Sequence, residues 1–306
     1  TLLLRKLAGD SEVMHRLREE ILDFAQADTH VVVSGETGSG KSLVARALHA
    51  CGPRGGKPFV TVNCAAHDEA ELSARLFGEP GAREVPIVAQ VSGGTLCLTE
   101  VQAMPPALQA RLVELMQAWE GGADRAPGLR IVTLAEEPLA EAQAAGRLRG
   151  DLYFRLAAME LTVPALRDRG EDVLLLFERF TREFAEEYGC EPPELGAADA
   201  AFLLQSPWPG NVRQLQNLAE RAVLQARRAE AAPTGLAQMA EPPDIAEPAN
   251  ARPLREHVEA FEKMLIQAAL RRHRGTMSAV MEDLALPRRT LNEKMAKYGI
   301  SRGDYL

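Results

Sequence analysis

Residues 30–50 read HVVVSGETGSGKSLVARALHA. Three consecutive β-branched valines suit a short buried strand, residues 35–42 fit the spacing GxxxxGK[ST], and LVARALHA repeats its apolar residues at helical intervals. Strand, glycine-rich turn and helix in that order predict a phosphate cradle, and a chance glycine-rich turn would not bring both flanking elements with it. Glycines let the backbone close around phosphate oxygens, while loop amides and the helix start supply positive potential. Lys41 would reach the terminal phosphates and the Ser42 hydroxyl would ligate magnesium. The candidate nucleotide-binding residues are therefore Gly35, Glu36, Thr37, Gly38, Ser39, Gly40, Lys41 and Ser42, with Ser42 also the candidate metal ligand.

Outward from this loop, the strand-like runs PFVTVNC, GTLCLTE and LRIVTL alternate with helix-like stretches, which predicts an α/β fold with a parallel sheet covered by helices. After about Leu161 the strand signals fade. Helical periodicity takes over in EDVLLLFERFTREFAEEYG, DAAFLLQS and NVRQLQNLAERAVLQARRA. Residues 229–253 hold five prolines and no aromatic residue, and read as a linker. Beyond it, helical pieces are split by Gly275-Thr276 and by Leu286-Pro287. The expected division is an α/β subdomain over 1–160, a helical subdomain over 161–228, the linker, and an all-α domain over 254–306.

The 306 residues are 46% hydrophobic, enough to fill a sizeable core and to exclude global disorder. No apolar run approaches the ~20 residues of a membrane-spanning helix, and residues 1–10 lack the apolar core of a signal peptide, so a cytoplasmic protein with no membrane partner is expected. The first residue is Thr rather than Met, consistent with numbering that starts inside a longer protein. Cys51, Cys64, Cys97 and Cys190 are scattered without CxxC spacing, which points to reduced thiols and to neither zinc nor disulfides. The net charge of −8 argues against non-specific nucleic-acid binding by the whole chain, but residues 252–306 carry eleven Lys or Arg against seven Asp or Glu. That tail is net positive and suits a polyanionic partner, although a solvated helix surface would have the same composition.

VVVSGETGSGKSLVARALHACGPRGGKPFVTVNCAA, LFGEPGA, GGTLCLTEV, GRLRGDLYFRL, VPALRDRGEDV and WPGNVRQLQN occur in this order across about residues 7–229. Together they resemble the AAA+ ATPase domain of the NtrC-like bacterial enhancer-binding proteins. The tail, ending LALPRRTLNEKMAKYGISRGDYL, resembles the Fis-type helix-turn-helix of the same proteins, especially the DctD-like response regulators, which carry a receiver domain ahead of the ATPase. In that family, ATP hydrolysis between subunits of a ring drives a loop into sigma-54 RNA polymerase. The resemblance implies Walker A roles for Lys41 and Ser42 and the second Walker B acid for Glu100. It implies that Arg149 and Arg155 reach into a neighbour's nucleotide site, and that Asn211 and Arg213 form sensor II, with Arg213 on the γ-phosphate. Glu100, Arg149 and Arg155 are the candidate catalytic residues. For any one of these arginines a surface salt bridge is the alternative.

Three positions depart from the family. Thr99 replaces the Walker B aspartate, and a hydroxyl holds a magnesium-bound water without contributing charge. At sensor I the family's Thr-Asn pair becomes Ala135-Glu136, which sets a carboxylate beside the expected γ-phosphate. The GAFTGA segment that touches sigma-54 is reduced to Gly81-Ala82 within LFGEPGAREVPIVAQVSGGT, several residues shorter than usual.

In the tail, residues 254–272 predict a long amphipathic helix with Val258, Phe261, Leu265, Ala268 and Ala269 on one side, suited to packing and dimerisation. Residues 278–284 would be the first helix of the helix-turn-helix, Ala285-Leu286 the turn, and Pro287 the start of the recognition helix, where its missing N–H matters little. Arg288, Arg289, Thr290, Asn292, Lys294 and Lys297 are the candidate DNA-binding residues, with Leu291, Met295 and Tyr298 facing inward. A dimer would bind a two-fold related site on double-stranded DNA. The expectation is a DNA-binding transcription regulator whose AAA+ core binds ATP and magnesium but is impaired in hydrolysis and in sigma-54 polymerase activation. It would act with another form of RNA polymerase or by occupying DNA, with nucleotide stabilising a ring. The alternative is a working sigma-54-dependent activator ATPase.

Overall fold

The computed structural model describes residues 2–79, 81, 84–120, 128–228, 235–240, 262–263, 265–267, 269–270, 272–273 and 275–301. The chain divides into two compact units, Thr1–Glu241 and Pro242–Leu306.

In the first unit two helices, α1 (Leu2–Lys6) and α2 (Glu12–Gln26), precede β1 (Val31–Ser34). After β1 come α3 (Lys41–Cys51), β2 (Phe59–Asn63), α4 (Glu69–Phe77), α5 (Ile87–Gln90), β3 (Thr95–Thr99), α6 (Pro106–Glu120), β4 (Arg130–Ala135), α7 (Leu139–Ala144), α8 (Gly150–Leu156) and β5 (Glu160–Thr162). The strands form one parallel sheet in the order β2-β3-β4-β1-β5. Alternate side chains of the same strand enter opposite cores, as the two-residue period of a strand requires. Val32, Leu96, Leu98 and Ile131 pack with α4, α6 and α8 on one face. Val31, Val33, Cys97, Val132 and Leu134 pack with α2 and α3 on the other. Met14, Leu17, Ile21 and Ala25 on α2 recur at helical intervals and are buried. Each of the three larger ones contributes about 1.5–3 kcal/mol of burial.

β5 lies beyond the strands legible in the sequence. It is a three-residue edge strand with only Leu161 buried, too short to show a period, and the expected boundary at residue 160 falls inside it. Because every strand is parallel, the segments after β1, β3 and β4 leave the same edge of the sheet. The register sets Ser34 beside Ala135 and Thr99 beside Leu134. This carboxyl edge is where open α/β sheets hold ligands.

The helical part of the first unit consists of α9 (Asp172–Tyr188), α10 (Ala197–Gln205), α11 (Asn211–Arg227) and α12 (Leu236–Met239). Its core includes Leu166, Val173, Phe177, Trp208, Leu215, Leu218 and Leu236. Leu236 lies within the segment 229–253 expected as a linker. The Leu236 amide donates to Asp199 Oδ1 at 2.8 Å, and Met239 and Ala240 pack on the same core. A single apolar turn among prolines is too short for periodicity to reveal. Residues 229–234 and 241–253 lie outside the described residues.

In the second unit, α13 (Met277–Asp283) and α14 (Arg288–Tyr298) form a helix-turn-helix around Ile266, Ala269, Leu270, Val280, Leu291, Met295 and Ile300. The first helix begins and ends one residue before the expected bounds. Ala285 turns the chain in a left-handed conformation at φ +48°, and Pro287 caps α14. Most of the expected helix 254–272 lies outside the described residues, including Val258, Phe261 and Ala268; Ala269 is buried and Leu265 half-buried. No described helix is long and apolar enough to cross a membrane. Cys51, Cys64, Cys97 and Cys190 are free thiols, and burial pushes Cys64 and Cys97 up to about 12.

Candidate functional site

The loop between β1 and α3 is held from three sides. The Gly35 amide donates to Ala135 O at 3.1 Å, and the Val212 amide of α11 donates to Gly38 O at 3.1 Å. A Cβ on Gly38, which has φ +74°, would sit 2.2 Å from Gly210 O, so only glycine lets the loop and α11 approach this closely. The buried Arg169 guanidinium donates to Ser39 O at 2.6 Å and to Pro164 O at 2.8 Å. Burial pushes Arg169 down to about 10, against the opposing pull of Asp172 and Asp168. Asp172 in turn accepts from the amides of Asp10 (2.6 Å) and Ser11 (3.0 Å), which pins the N-terminal segment ahead of α2.

No side chain caps the start of α3, Ser42 is exposed on its first turn, and Ser39 Oγ is buried without a partner. A nest of glycines with an uncapped helix start and an orphaned hydroxyl fits a phosphate chain. For magnesium the donors are poorer. The hydroxyls of Ser42 and Thr99 and the Glu100 carboxylate stand near the sheet edge, and no group of three or more His, Cys, Asp or Glu suited to a metal occurs among the described residues. Magnesium is commonly held by one or two carboxylates plus ligand phosphates, so this set fits it only as a partner of bound nucleotide.

Lys41 does not point into open space. Its Nζ donates to Gly35 O at 2.7 Å and Glu36 O at 2.9 Å, and lies 3.7 Å from Glu136 Oε1, an ion pair beyond hydrogen-bond reach. Burial pushes the ammonium below its usual range, while Glu136 and then Glu100 oppose that shift and Arg213 adds to it. Glu136, Glu100 and Arg213 therefore all act on Lys41. Thr99 ends β3, and Glu100 follows at φ +53°, its Oε2 accepting from Gln102 Nε2 at 2.8 Å. A left-handed non-glycine residue costs on the order of 1 kcal/mol, a strain that clusters at functional sites.

The Glu36 side chain reaches the helical part. It forms an ion pair with Arg167, whose Nη1 donates at 2.8 Å, and accepts from Asn211 Nδ2 at 3.1 Å. The Arg167 hydrogen bond is the main reason its carboxyl lies below the usual carboxylate range. Asn211, fully buried at φ +49°, also donates to Thr37 O at 3.0 Å and accepts from the Leu166 amide at 2.8 Å. Arg213 is exposed one turn into the same helix. Arg149 precedes α8 as its N-cap and Arg155 lies in its last turn, with Arg149 engaged by Asp151 at 2.8 Å and Phe154 between them 76% exposed.

Sequence reasoning gave no role to Arg167, Arg169, Asp172 or Gln102. The alternating charges of LRDRGED after a strand-like end were the available signal for the first three. Gln102 carried none. At the sigma-contact position, α4 ends at Phe77 and Pro86 returns so close that it lies 3.3 Å from a Cβ placed on Gly78. Pro80, Ala82 and Arg83 lie outside the described residues.

On α14, Arg288, Arg289, Asn292 and Lys297 are exposed and Thr290 half-buried. Lys294 has a partner on its own unit. Its Nζ is 2.5 Å from Glu262 Oε2, which also accepts from Tyr298 OH at 2.6 Å, so Lys294 is turned toward its own unit.

The Sigma-54 interaction domain family matches residues 7–162, the AAA+ ATPase lid domain 167–261, and the Fis family of bacterial regulatory proteins 257–298. Over 312 residues the chain is 36% identical to the C4-dicarboxylate transport transcriptional regulatory protein DctD of Rhizobium meliloti, covering 98% of this chain and 66% of that protein. DctD of Pseudomonas aeruginosa is 40% identical over 311 residues, covering 96% of this chain and 64% of that protein. The chain thus spans slightly less than two thirds of either relative. Among solved structures, NtrX from Brucella abortus in complex with ADP superposes with a TM-score of 0.70 at 33% identity, covering 96% of this chain and 70% of NtrX. With its parallel five-stranded sheet, phosphate loop, helical lid and Fis-type helix-turn-helix in this order, the chain belongs to the NtrC-like family of sigma-54-dependent enhancer-binding regulators.

Proposed function

We propose that this protein is a DNA-binding transcriptional regulator whose AAA+ core binds nucleotide and turns it over slowly or not at all. The observation that carries the reading is the Lys41–Glu136 pair at 3.7 Å. Lys41 stabilises charge on a transferred phosphoryl group only if that charge outcompetes its existing partners. Here a carboxylate stands where the family has an amide able to orient water. Thr99 supplies no charge for magnesium, and Gln102 ties the remaining acid, Glu100, within its own turn. Bound magnesium would neutralise phosphate charge, held by Ser42 and water with little help from the protein.

Residues 35–42 and Arg213 would hold nucleotide within one subunit, and Arg149 and Arg155 would complete the site of the next subunit. Such a shared ligand stabilises a ring by mass action. The shortened connection from Phe77 to Ile87 leaves little chain for a sigma-54 contact, so the polymerase partner would differ or the protein would act by occupying DNA. Arg288, Arg289, Thr290, Asn292 and Lys297 would meet a two-fold related duplex through a dimer, with residues 1–160, 161–228 and 254–306 as the working domains. Retention of Glu100, Arg149 and Arg155 favours the second reading, a sigma-54-dependent activator with residual hydrolysis.

Steady-state hydrolysis of magnesium-ATP separates the two. Wild type is expected near the Lys41→Ala background, with turnover rising in Thr99→Asp/Glu136→Asn. Wild-type turnover on the order of 1 s⁻¹ or more that Lys41→Ala abolishes would overturn the first reading.

A further inference from the structure

We propose that Glu136 fills the terminal-phosphate subsite and makes this loop a site for a nucleoside diphosphate in preference to a triphosphate. The inference rests on reading the loop as a nucleotide site and adds which nucleotide it holds.

A lysine ammonium has three N–H donors. Two of those on Lys41 are taken by Gly35 O and Glu36 O, and the charge is paired with Glu136. In a phosphate loop the backbone cradles the inner phosphates, whereas the lysine reaches toward the outermost. A carboxylate paired to that lysine is an anion where a third phosphoryl group would be.

The residues on either side of Glu136 are anchored. Its predecessor Ala135 ends β4, is 1% exposed, and accepts the Gly35 amide at 3.1 Å, so the backbone before Glu136 is tied to the loop itself. Its successor Glu137 is held at 2.8 Å by Arg147, which orients the chain on the other side. The carboxylate therefore leans on Lys41 from an anchored base. It remains 49% exposed, so a third phosphate can displace it at a cost, and the result is a preference and not an exclusion.

Local charge points the same way. Lys41 and Arg213 are matched by Glu100 and Glu136, and Thr99 brings no acid with which to recruit a compensating divalent cation. A diphosphate in the glycine nest leaves the Lys41–Glu136 pair in place. A triphosphate must break that pair and set its extra charge against the freed carboxylate, a like-charge juxtaposition of the kind that suppresses wrong partners.

The test is isothermal titration of the full chain with ADP and with a non-hydrolysable ATP analogue, for wild type, Glu136→Gln and Glu136→Asn. Wild type is expected to bind ADP at least about tenfold more tightly than the analogue. Either neutral variant should narrow or invert that ratio by improving analogue affinity, with ADP affinity little changed. Equal wild-type affinities, or a preference that both folded variants retain, would overturn the inference and leave the nucleotide-binding reading standing. Failure of both nucleotides to bind wild type would overturn that reading and the inference together. Circular dichroism confirms the fold of each variant, and the second substitution keeps the test decisive if the first unfolds.

Discussion

Asn211 at the start of α11 and Glu36 in the phosphate loop are hydrogen-bonded, Nδ2 to Oε2 at 3.1 Å, across 175 positions of sequence. The same carboxamide holds Thr37 O and the Leu166 amide, so one buried side chain joins the loop, the segment after β5 and the lid. Asn211→Ala would leave a buried amide and carbonyl without partners, at about 1–3 kcal/mol each. Urea denaturation should show a loss of about 2–4 kcal/mol, whereas Asn211→Asp should lose the Thr37 bond and repel Glu36.

Arg169 is the stronger case. It is 3% exposed and its guanidinium meets Ser39 O and Pro164 O beside Asp172. Arg169→Met should leave the Ser39 and Pro164 carbonyls without their shared donor, at about 1–3 kcal/mol each. Lysine should not restore the loss, since a single ammonium cannot reproduce the planar fork. Equal stability of Arg169→Lys and wild type in urea would contradict this.

The Glu36–Arg167 pair predicts acid sensitivity of the loop–lid contact. The folded-state value lies below the ordinary glutamate value of 4.5, so its contribution is fully present above that pH and is lost as pH falls through the lowered value. Both side chains are more than a third exposed, so the effect on total stability is small and salt-dependent. Hydrogen exchange at Leu166 and Val212 should rise as pH falls below 4.5 in wild type more than in Arg167→Ala, which lacks the pair throughout.

On α14 the described contacts rank the basic residues. Arg288→Ala should weaken binding of the full chain to duplex DNA and lower the salt slope by about one ion per phosphate contact removed. Lys294 is already paired with Glu262, so Lys294→Ala should act mainly on the stability of the second unit. Fluorescence anisotropy of a labelled random duplex at several salt concentrations distinguishes the two. An equal loss of salt slope in both variants would place Lys294 on the DNA.

The phosphate loop, four of the five strands and the helix-turn-helix were legible because each is local: a β-branched run, a fixed glycine–lysine spacing, a proline opening a helix. β5 and α12 were not, since three or four residues carry no period and gain their burial from Val32 and Val33 or from the lid core. Among the site residues, Lys41 and Glu100 were named by motif, but their partners were not. Glu136 was legible only as a departure from a family pattern, and Gln102 not at all.

By itself the sequence determined the order of elements, the chemistry at the carboxyl edge of the sheet and the charge of the tail, all of which depend on neighbours along the chain. Only the tertiary structure decided which charges meet. It set Glu136 against Lys41, Arg167 and Asn211 against Glu36, and Glu262 against Lys294. A parallel sheet gathers the ends of distant strands at one edge, and Coulomb attraction there acts over ångströms of space without regard to separation in sequence.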